Sequence, residues 1–395
     1  MINPLDGVRY ETAFAPYRFW LPGATQQTLD LLVTKKIKLL HGIQRMGGQY
    51  FGSDIIFVQS MLRDDYNENV DFLSENCGRK SSVFRIDYYK STQLVVEKRV
   101  LLRAAVETVF KKKMPFDDKC KKILVLDLAL ALFIFHELKR LSPRVCILHA
   151  DMQPVENLLA QMLKKSGIVT ATMQHGLYID YSKDQNVNEV NYKSFVSDYF
   201  LAWGDNTKAL IREYHPNAEV IVIGKKKLTA CVTSERSKAL LVVLDQPIFD
   251  EENFRMLDIA YDAASRLNWQ IYVRFHPGSN RRKFYAARPW LLEEDGGLVP
   301  YIVVGHTSSV LYEAFAGKAR VCRYITSAPA ISVNGMPTFR DSSELINSVN
   351  ESIPDEVAQH STLDVGRRSI VTYVGDDCVE RFRNAVSFIV GSGVG

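Results

Sequence analysis

The 395-residue sequence has few cysteines, little net charge and no long hydrophobic run, and each shortage excludes a class of protein. The six cysteines are scattered, with no Cys-x-x-Cys pair and no Cys/His group at zinc-ligand spacing, which excludes a disulfide scaffold and a zinc module. Buried free thiols in a reducing compartment are expected instead. A formal net charge of +4 is small for this length and, without a recognisable nucleic-acid-binding motif, gives no reason to expect a nucleic-acid partner.

Segments that would place the chain in or across a membrane are also missing. The most apolar stretch, Ile123 to Phe135, is too short to span a bilayer and contains Asp127. The N-terminal residues lack the pattern of a signal peptide, and no Asp-x-Asp metal motif, internal repeat or low-complexity tract is found. We therefore expect a cytoplasmic protein that needs no metal or other cofactor, and leave open whether it attaches to the inner face of the cell membrane.

What the sequence does contain is an alternation of strand and helix patterns in two series. Strands are predicted in the first series at Ile55–Val58, Lys122–Val125, Val145–His149, Ile168–Met173, Tyr199–Gly204 and Glu219–Gly224, and in the second at Ala239–Leu244, Gln270–Phe275, Tyr301–Val304 and Arg320–Tyr324. Helices are predicted between them, including Gln93–Phe110, Leu128–Arg140, Gln153–Lys165, Glu251–Leu267 and Ser308–Gly317. The sequence thus predicts an α/β protein with two doubly wound, Rossmann-like domains that face a ligand-binding cleft.

The length and the restart of the alternation set the expected domain boundaries. We predict an N-terminal domain over residues 1–230, in which residues 1–50 are irregular or additional, and a C-terminal domain over residues 231–375. The polar stretch Lys225–Ser237 is the expected linker. Residues 376–395 are predicted to form a C-terminal helix that crosses back to the first domain.

The segment after Tyr301–Val304 has the features of an anion site. Gly305 and His306 are followed by the hydroxyl cluster Thr307, Ser308 and Ser309, which opens a helical pattern. A helix N-terminus offers unpaired backbone N–H groups and the positive end of its dipole to an anion, and a hydroxyl can donate to phosphate. A simply capped helix after a strand gives the same pattern, so both interpretations stand.

A second candidate lies where Gln270–Phe275 ends. Arg274 and His276 are followed by Pro277, which with Gly278 predicts a turn, so both side chains are expected at the carboxyl end of the strand. Ligands of open parallel sheets bind outside those ends, and an arginine and a histidine suit a diphosphate or nucleotide. The alternatives are a surface ion pair for Arg274 and a turn residue for His276.

A third candidate, Gln174-His175-Gly176, follows the strand Ile168–Met173. His175 is predicted to face the cleft, where an imidazole acts as a general base, and Gly176 is predicted to allow a tight turn or a close ligand approach. A histidine that only braces the turn is the alternative. Further candidates for the acceptor site or the cleft are Gln174, Gly176, His149, Asp151 and His306.

The order and spacing of these elements resemble a known family over residues 145–325. The His-Gly of His175, the Arg-x-His-Pro of Arg274–Pro277 and the Thr-Ser-Ser of Thr307–Ser309 are similar to those of GT-B nucleotide-sugar transferases of bacterial surface polysaccharides. The resemblance is greatest to teichoic-acid CDP-glycerol glycerophosphotransferases and to the CMP-sugar (sialic acid or Kdo-type) transferases of capsules and lipopolysaccharide.

This resemblance implies roles for the candidate residues. It implies that His175 deprotonates the acceptor hydroxyl and that Glu313 contacts the ribose of the donor. The residues that it implies for holding the donor's phosphates and nucleotide are Arg274, His276, Pro277, Thr307, Ser308 and Ser309. The resemblance favours CMP- or CDP-linked donors. Teichoic-acid enzymes usually carry Asp-Tyr before the Ser-Ser, where this chain has Gly305-His306-Thr307, and because of this departure UDP and GDP stay open.

The expected function is therefore a metal-independent, inverting glycosyltransferase. It would move a sugar or glycerol-phosphate from a nucleotide-activated donor to a hydroxyl of a cell-surface glycan, or lipid-linked glycan, of a capsule, teichoic acid or lipopolysaccharide. One alternative is a UDP-sugar 2-epimerase-like isomerase, which needs several cleft carboxylates where the sequence offers only Asp151, Asp245 and Glu313 near strand ends. The other is a non-catalytic scaffold subunit that has kept the fold.

Overall fold

The computed structural model describes residues 4–20, 26–42, 50–86, 118–181, 187–228, 233–350 and 364–392, with residues 102–103, 105–106 and 108–109. Most of the helix predicted at Gln93–Phe110 and the thiol of Cys231 lie outside the described residues. The chain forms two compact units. The first comprises Met1–Ala202, Lys208–Ile223 and Asp376–Gly395, and the second comprises Trp203–Thr207 and Gly224–Gly375.

A parallel six-stranded sheet forms the centre of the first unit. Its strands are β1 (Ile55–Gln59), β2 (Ser81–Arg85), β3 (Val145–Leu148), β4 (Val169–Met173), β5 (Tyr199–Ala202) and β6 (Glu219–Val222). They lie in the order β2-β1-β3-β4-β5-β6, and every neighbouring pair is parallel. The strand order reverses between β1 and β3, which is the point where open α/β sheets form a ligand crevice.

Helices cover both faces of this sheet. They are Tyr10–Ala13, Tyr17–Trp20, Gln26–Gly42, Asp64–Asn76, Asp118–Leu141, Pro154–Lys165, Val190–Lys193 and Asp376–Ser392, with a 3-10 turn at Val187–Glu189. Alternate residues of β1 face opposite sides, as the two-residue period of a strand requires. Ile56 and Val58 join the apolar cluster of the Asp118–Leu141 helix, whereas Ile55 and Phe57 join that of the Asp376–Ser392 helix.

The strand predicted at Lys122–Val125 is wrong, because these residues lie inside the helix Asp118–Leu141. Residues 123–135 of that helix are all buried, and a helix that is apolar on every side has no 3.6-residue pattern to distinguish it from a strand. The buried carboxylate of Asp127 accepts the Tyr17 hydroxyl and pairs with Lys36. The edge strand β2 escaped prediction because its sequence is largely polar and each of its residues is only partly buried.

The second unit has its own parallel six-stranded sheet. Its strands are β7 (Ala239–Val243), β8 (Gln270–Arg274), β9 (Leu292–Glu293), β10 (Ile302–Gly305), β11 (Val321–Tyr324) and β12 (Thr338–Phe339), in the order β12-β11-β10-β7-β8-β9. Its helices are Asp250–Leu267, Arg281–Ala287, Ser309–Ala316 and Ser342–Asn350, with a 3-10 turn at Pro247–Phe249. The helix Asp205–Tyr214 spans the boundary between the units. Numbered along the chain, this is the 3-2-1-4-5-6 order of dinucleotide-binding domains, which reverses between β7 and β10.

The fold class predicted from the sequence is confirmed, since both units are parallel α/β layers with helices on the sheet. Each strand predicted in the second series is present, as β7, β8, β10 and β11. In the part of the chain that the structure describes, no helix combines the length and the apolar character needed to cross a bilayer.

Candidate functional site

The carboxyl ends of β3 and β4 bring two histidines together in the first unit. His149 directly follows β3, and its backbone N–H donates to the Val58 carbonyl of β1 at 2.8 Å. His175 lies two residues after β4, and the ring centres of His149 and His175 are 5.8 Å apart. Both predicted histidines therefore lie at the carboxyl ends of central strands, close to the point where the strand order reverses.

Two tyrosines that sequence reasoning missed complete this cluster. The Tyr66 ring, in the first turn of the Asp64–Asn76 helix, is centred 4.8 Å from His149 and 6.1 Å from His175. The guanidinium carbon of Arg63 lies 4.0 Å from the centre of the Tyr66 ring. The Tyr178 hydroxyl lies 3.0 Å from Nδ1 of His175. Neither tyrosine follows a strand directly, so no strand-end pattern identified them.

Both imidazoles are neutral at physiological pH. Burial lowers the pKa of His149 to about 4, against a raising effect of the Asp65 charge and with a further lowering effect of Arg63. Burial also lowers the pKa of His175 to about 3, assisted by His149 and Arg63. A neutral imidazole has one N–H donor and one lone pair, so whether a ring donates a hydrogen bond or accepts a proton depends on what its two nitrogens already contact.

The buried carboxylates of the first unit are held by the protein itself. Oδ2 of Asp151 accepts hydrogen bonds from the Ser197 backbone N–H at 2.8 Å and the Ser197 hydroxyl at 2.7 Å. Glu156 accepts from the backbone N–H groups of Ser60 and Ala150 at 2.8 and 2.6 Å. Burial raises the pKa of Asp151, and it raises that of Glu156 to about 7. These carboxylates join loops at the strand ends, so Asp151 is a structural brace in this unit.

The residues on either side of His175 have different surroundings. The Gln174 side chain is 1% exposed, and its Nε2 donates to the Gly176 carbonyl at 2.8 Å. Gly176 does not have a positive φ, so the tight turn that the sequence suggested is not the reason for a glycine there. Apart from the two neighbouring residues, no described residue would lie within 4 Å of a Cβ atom at Gly176, so within the described part of the chain there is open space beside His175.

In the second unit, buried side chains form a hydrogen-bond network at the carboxyl ends of β7 and β10, where the strand order reverses. Asp245 follows β7, and His306 and Thr307 follow β10. The Thr307 hydroxyl donates to Oδ2 of Asp245, and the Gln246 backbone N–H donates to Oδ1 at 2.7 Å. Nε2 of His306 lies 3.1 Å from Oδ1 of Asn253, which also accepts the Asp245 backbone N–H at 3.0 Å. Every member of this network has a partner.

The same network sets the charge of its members. Burial raises the pKa of Asp245 to about 7, while hydrogen bonds from the backbone at Gln246 and Thr307 act in the opposite direction. Burial lowers the pKa of His306 to about 4, with the charge of Arg323 acting in the same direction. His306 and the Thr307 hydroxyl are thus engaged within the protein.

The helix Ser309–Ala316 begins two residues after Thr307, a member of this network. Its N-cap residue, Ser308, has extended backbone angles (φ −60°, ψ 133°), and its side chain makes no capping hydrogen bond. Position 305 favours glycine because the Cβ atom of any other residue would lie 2.7 Å from Cγ2 of Val243 on the neighbouring strand. The helix therefore starts at a serine whose hydroxyl does not cap it, and helix N-termini of this kind can bind an anion.

Arg274 and His276 lie at the end of β8 as the sequence predicted, and both have protein partners. Arg274 forms a two-point ion pair with Glu294, with Nε–Oε2 and Nη2–Oε1 distances of 2.7 and 2.8 Å. The Glu294 carboxylate is buried, with 8% of its side chain exposed. Nδ1 of His276 accepts the Gly278 backbone N–H at 3.0 Å across the turn that begins at Pro277.

Glu313 lies in the Ser309–Ala316 helix and is 3% exposed. Its carboxylate pairs with Nζ of Lys225 at 2.6 Å, and that ammonium group lies 4.5 Å from the centre of the Trp203 ring. The sequence pattern placed Lys225 in a polar linker, so its ion pair with the buried Glu313 was not predicted. Among the described residues, no group of three or more His, Cys, Asp or Glu side chains is arranged to hold a metal ion.

No protein-family model matches the chain, and no curated protein sequence matches it. Among solved structures, it is similar to UDP-GlcNAc 2-epimerase of Methanocaldococcus jannaschii in complex with UDP-GlcNAc and UDP, with a TM-score of 0.50 and 12% identity over 85% of this chain and 99% of that one. A second structure of that enzyme gives a TM-score of 0.50 and 11% identity at the same coverage. The lipopolysaccharide outer core galactosyltransferase WaaB, in its apo form, has a TM-score of 0.48 and 12% identity, again over 85% and 99% of the two chains. At these identities the likeness to the M. jannaschii enzyme establishes the two-domain α/β fold and no more.

Proposed function

We propose that this protein is a metal-independent, inverting glycosyltransferase that uses a nucleotide-activated donor. It transfers a sugar or glycerol-phosphate to a hydroxyl of a cell-surface glycan. The observation that carries the proposal is the pair of neutral imidazoles, His149 and His175, at the carboxyl edge of the first sheet. Such a pair can bind a hydroxyl and take its proton.

In the proposed reaction, the imidazole pair takes the proton of the acceptor hydroxyl, a role that the sequence assigned to His175. The hydroxyl oxygen bonds to the donor carbon as the bond from that carbon to the phosphate oxygen breaks, and the electron pair leaves with the phosphate. In glycerol-phosphate transfer the displacement takes place at phosphorus instead. Ser308, Ser309 and the N–H groups of the helix they begin would stabilise the phosphate.

The carboxylates favour transfer over epimerisation. Removal of a proton from a sugar carbon needs an available base, and Asp151 and Glu156 already accept hydrogen bonds from backbone N–H groups and serine hydroxyls. Asp245 is similarly engaged by Thr307. The named ligands of the M. jannaschii epimerase, UDP-GlcNAc and UDP, support a nucleotide-sugar as the ligand of this fold. The motif resemblance favours a CMP- or CDP-linked donor for this chain, with UDP and GDP as alternatives.

A binding experiment tests the donor half of the proposal. Calorimetry with CMP, CDP, UDP, GDP and ADP should detect one nucleotide class, and Ser308→Ala should weaken its binding by up to about tenfold, the loss expected for one hydrogen bond. Because the Ser308 side chain makes no capping bond, the melting temperature should not change. Ser348→Ala, whose hydroxyl bonds only its own helix at Glu344, is the matched control. Absence of binding to all five nucleotides would rule out the transferase.

Product analysis tests the chemistry. With the bound nucleotide linked to its sugar, we expect transfer to a glycan hydroxyl with inversion at the donor carbon, read by NMR of the product. Retention of configuration would contradict the single displacement. Conversion of a UDP-sugar to its C2 epimer without an acceptor would identify an isomerase, and nucleotide binding without any turnover would identify a scaffold.

A further inference from the structure

The two histidines of the first unit differ in what holds their ring nitrogens. Nδ1 of His175 lies 3.0 Å from the hydroxyl oxygen of Tyr178. Nδ1 of His149 is buried and has no hydrogen-bond partner among the described residues. The difference decides which nitrogen carries the proton in each ring, and therefore what each ring can do to a substrate.

The Tyr178 hydroxyl has one hydrogen-bond acceptor in reach among the described residues. The residue is 4% exposed, and burial raises its pKa far above the usual value, so the phenol keeps its proton. Within the described part of the chain, Nδ1 of His175 is the acceptor in reach of the phenol hydrogen. Since a buried O–H without an acceptor costs about 1–3 kcal/mol, the phenol donates to Nδ1.

This hydrogen bond fixes the tautomer of His175. The ring is neutral at pH 7, because burial lowers its pKa to about 3. With Nδ1 accepting the phenol hydrogen, the single ring proton is on Nε2. An Nε2–H group donates a hydrogen bond and has no lone pair with which to take a proton from a hydroxyl.

His149 is suited to the opposite task. No described group fixes its tautomer through Nδ1, so the ring can present a lone pair to a ligand. Burial lowers the pKa of both rings and the Arg63 charge acts on each in the same direction, but the Asp65 charge raises the pKa of His149. Besides burial, the groups that shift the pKa of His175 are His149 and Arg63, and both lower it. The surroundings therefore favour a proton on His149 over one on His175.

We propose that His149 is the general base of the site and that His175 donates a hydrogen bond to the acceptor, with Tyr178 as the positioning residue. This assignment rests on the proposed transferase function. His149 takes the acceptor proton as the acceptor oxygen bonds to the donor carbon and the phosphate leaves with the electron pair, and it later releases the proton to solvent. Ring centres 5.8 Å apart allow both rings to reach one hydroxyl, since each contact spans about 2.6–3.2 Å.

The tautomers are measured without substrate. In protein labelled with 15N-histidine, two-bond proton–nitrogen spectra should show an unprotonated Nδ1 and a protonated Nε2 for His175, assigned from the signals lost in His175→Gln. Tyr178→Phe should remove this preference. Tyr285→Phe, which deletes a phenol that donates to Glu293 in the second unit, should leave it unchanged. A protonated Nδ1 in the wild type would overturn the assignment.

Paired substitutions test the two roles. A glutamine amide N–H can replace an Nε2–H donor, but an amide cannot take a proton. We expect His149→Gln and His149→Ala both to lose about 10²–10⁴-fold in kcat/KM, the contribution of a general base. His175→Gln should stay within about tenfold of the wild type, and clearly above His175→Ala.

The reverse pattern, with rescue at His149 and none at His175, would make His175 the base and overturn the proposal. Nucleotide binding by the same variants distinguishes a failure of the proposed function from a failure of the assignment of His149 as the base. If the wild-type protein neither binds a nucleotide nor transfers a sugar, the proposed function fails. The tautomer of His175 still decides whether its ring is available as a base.

Discussion

His149 and His306 occupy equivalent positions in two similar sheets, yet their surroundings are opposite. Each directly follows a strand that borders the reversal of strand order, β3 in one unit and β10 in the other, and burial lowers the pKa of each to about 4. His306 lies 3.1 Å from Oδ1 of Asn253 and 3.3 Å from the Thr307 hydroxyl. His149 has the rings of Tyr66 and His175 beside it, and its Nδ1 has no hydrogen-bond partner in the described parts of the chain.

The difference shows how one architecture can serve two purposes. In the second unit, the cost of burying polar groups is offset by a closed network, which holds the start of the Ser309–Ala316 helix in place. In the first unit, part of that cost is left uncompensated at His149. Buried polar atoms without partners are rare in native proteins and are concentrated where a ligand completes the set.

The largest expected effect comes from breaking the closed network. Asn253→Ala removes the partner of the Asp245 backbone N–H and of His306, and leaves both polar groups buried. We expect the free energy of unfolding of the second unit to fall by about 3 kcal/mol, measured by urea denaturation. Asp262→Ala, an exposed change on the same helix, should shift it by less than about 0.5 kcal/mol. A loss below about 1 kcal/mol at Asn253 would mean that the network does not hold this sheet edge together.

The matching change in the open site should behave differently. His149→Leu keeps the buried volume and deletes the orphaned nitrogen, so at pH 7.5 we expect stability within about 1 kcal/mol of the wild type. Since the folded pKa of about 4 is below the unfolded value of 6.5, the folded wild type binds fewer protons between these pH values, and its stability falls as the pH falls. The variant should therefore gain about 1.4 kcal/mol on the wild type for each pH unit in that window.

Urea denaturation at pH 7.5, 6.5 and 5.5 measures this difference. Parallel pH profiles of the two proteins would show that His149 is not held neutral by burial. The interpretation that its surroundings disfavour the charged ring would then be wrong.

Sequence patterns predicted nine of the twelve described strands, all but β2, β9 and β12, because an apolar strand is a feature of local sequence. The apolar runs placed β7, β8, β10 and β11, and the polar residues after the strands pointed to His149 and His175. They failed at Lys122–Val125, where a helix buried on every side carries no period.

The partners of the site residues could not be read in the same way. Tyr66, Asn253 and Glu294 reach their partners from separate elements. The separations along the chain are 20 positions for Glu294 and Arg274, 53 for Asn253 and His306, and 109 for Tyr66 and His175. No local pattern specifies such contacts, because they depend on how the helices and loops pack at the strand ends. The closed or open character of each sheet edge therefore emerged only from the three-dimensional structure.

The smallest effect on stability is expected at Gly176, which we compare with Gly305 in the second unit. A Cβ atom at Gly176 meets nothing within 4 Å, whereas one at Gly305 would lie 2.7 Å from Val243. Gly176→Ala should change the free energy of unfolding by less than about 0.5 kcal/mol, while Gly305→Ala should cost about 1–3 kcal/mol through overpacking. If the space beside His175 receives the acceptor, Gly176→Ala should raise the acceptor KM several-fold and leave nucleotide binding unchanged. An unaltered KM in a stable Gly176→Ala protein would place the acceptor elsewhere and remove the open space at this sheet edge from the site.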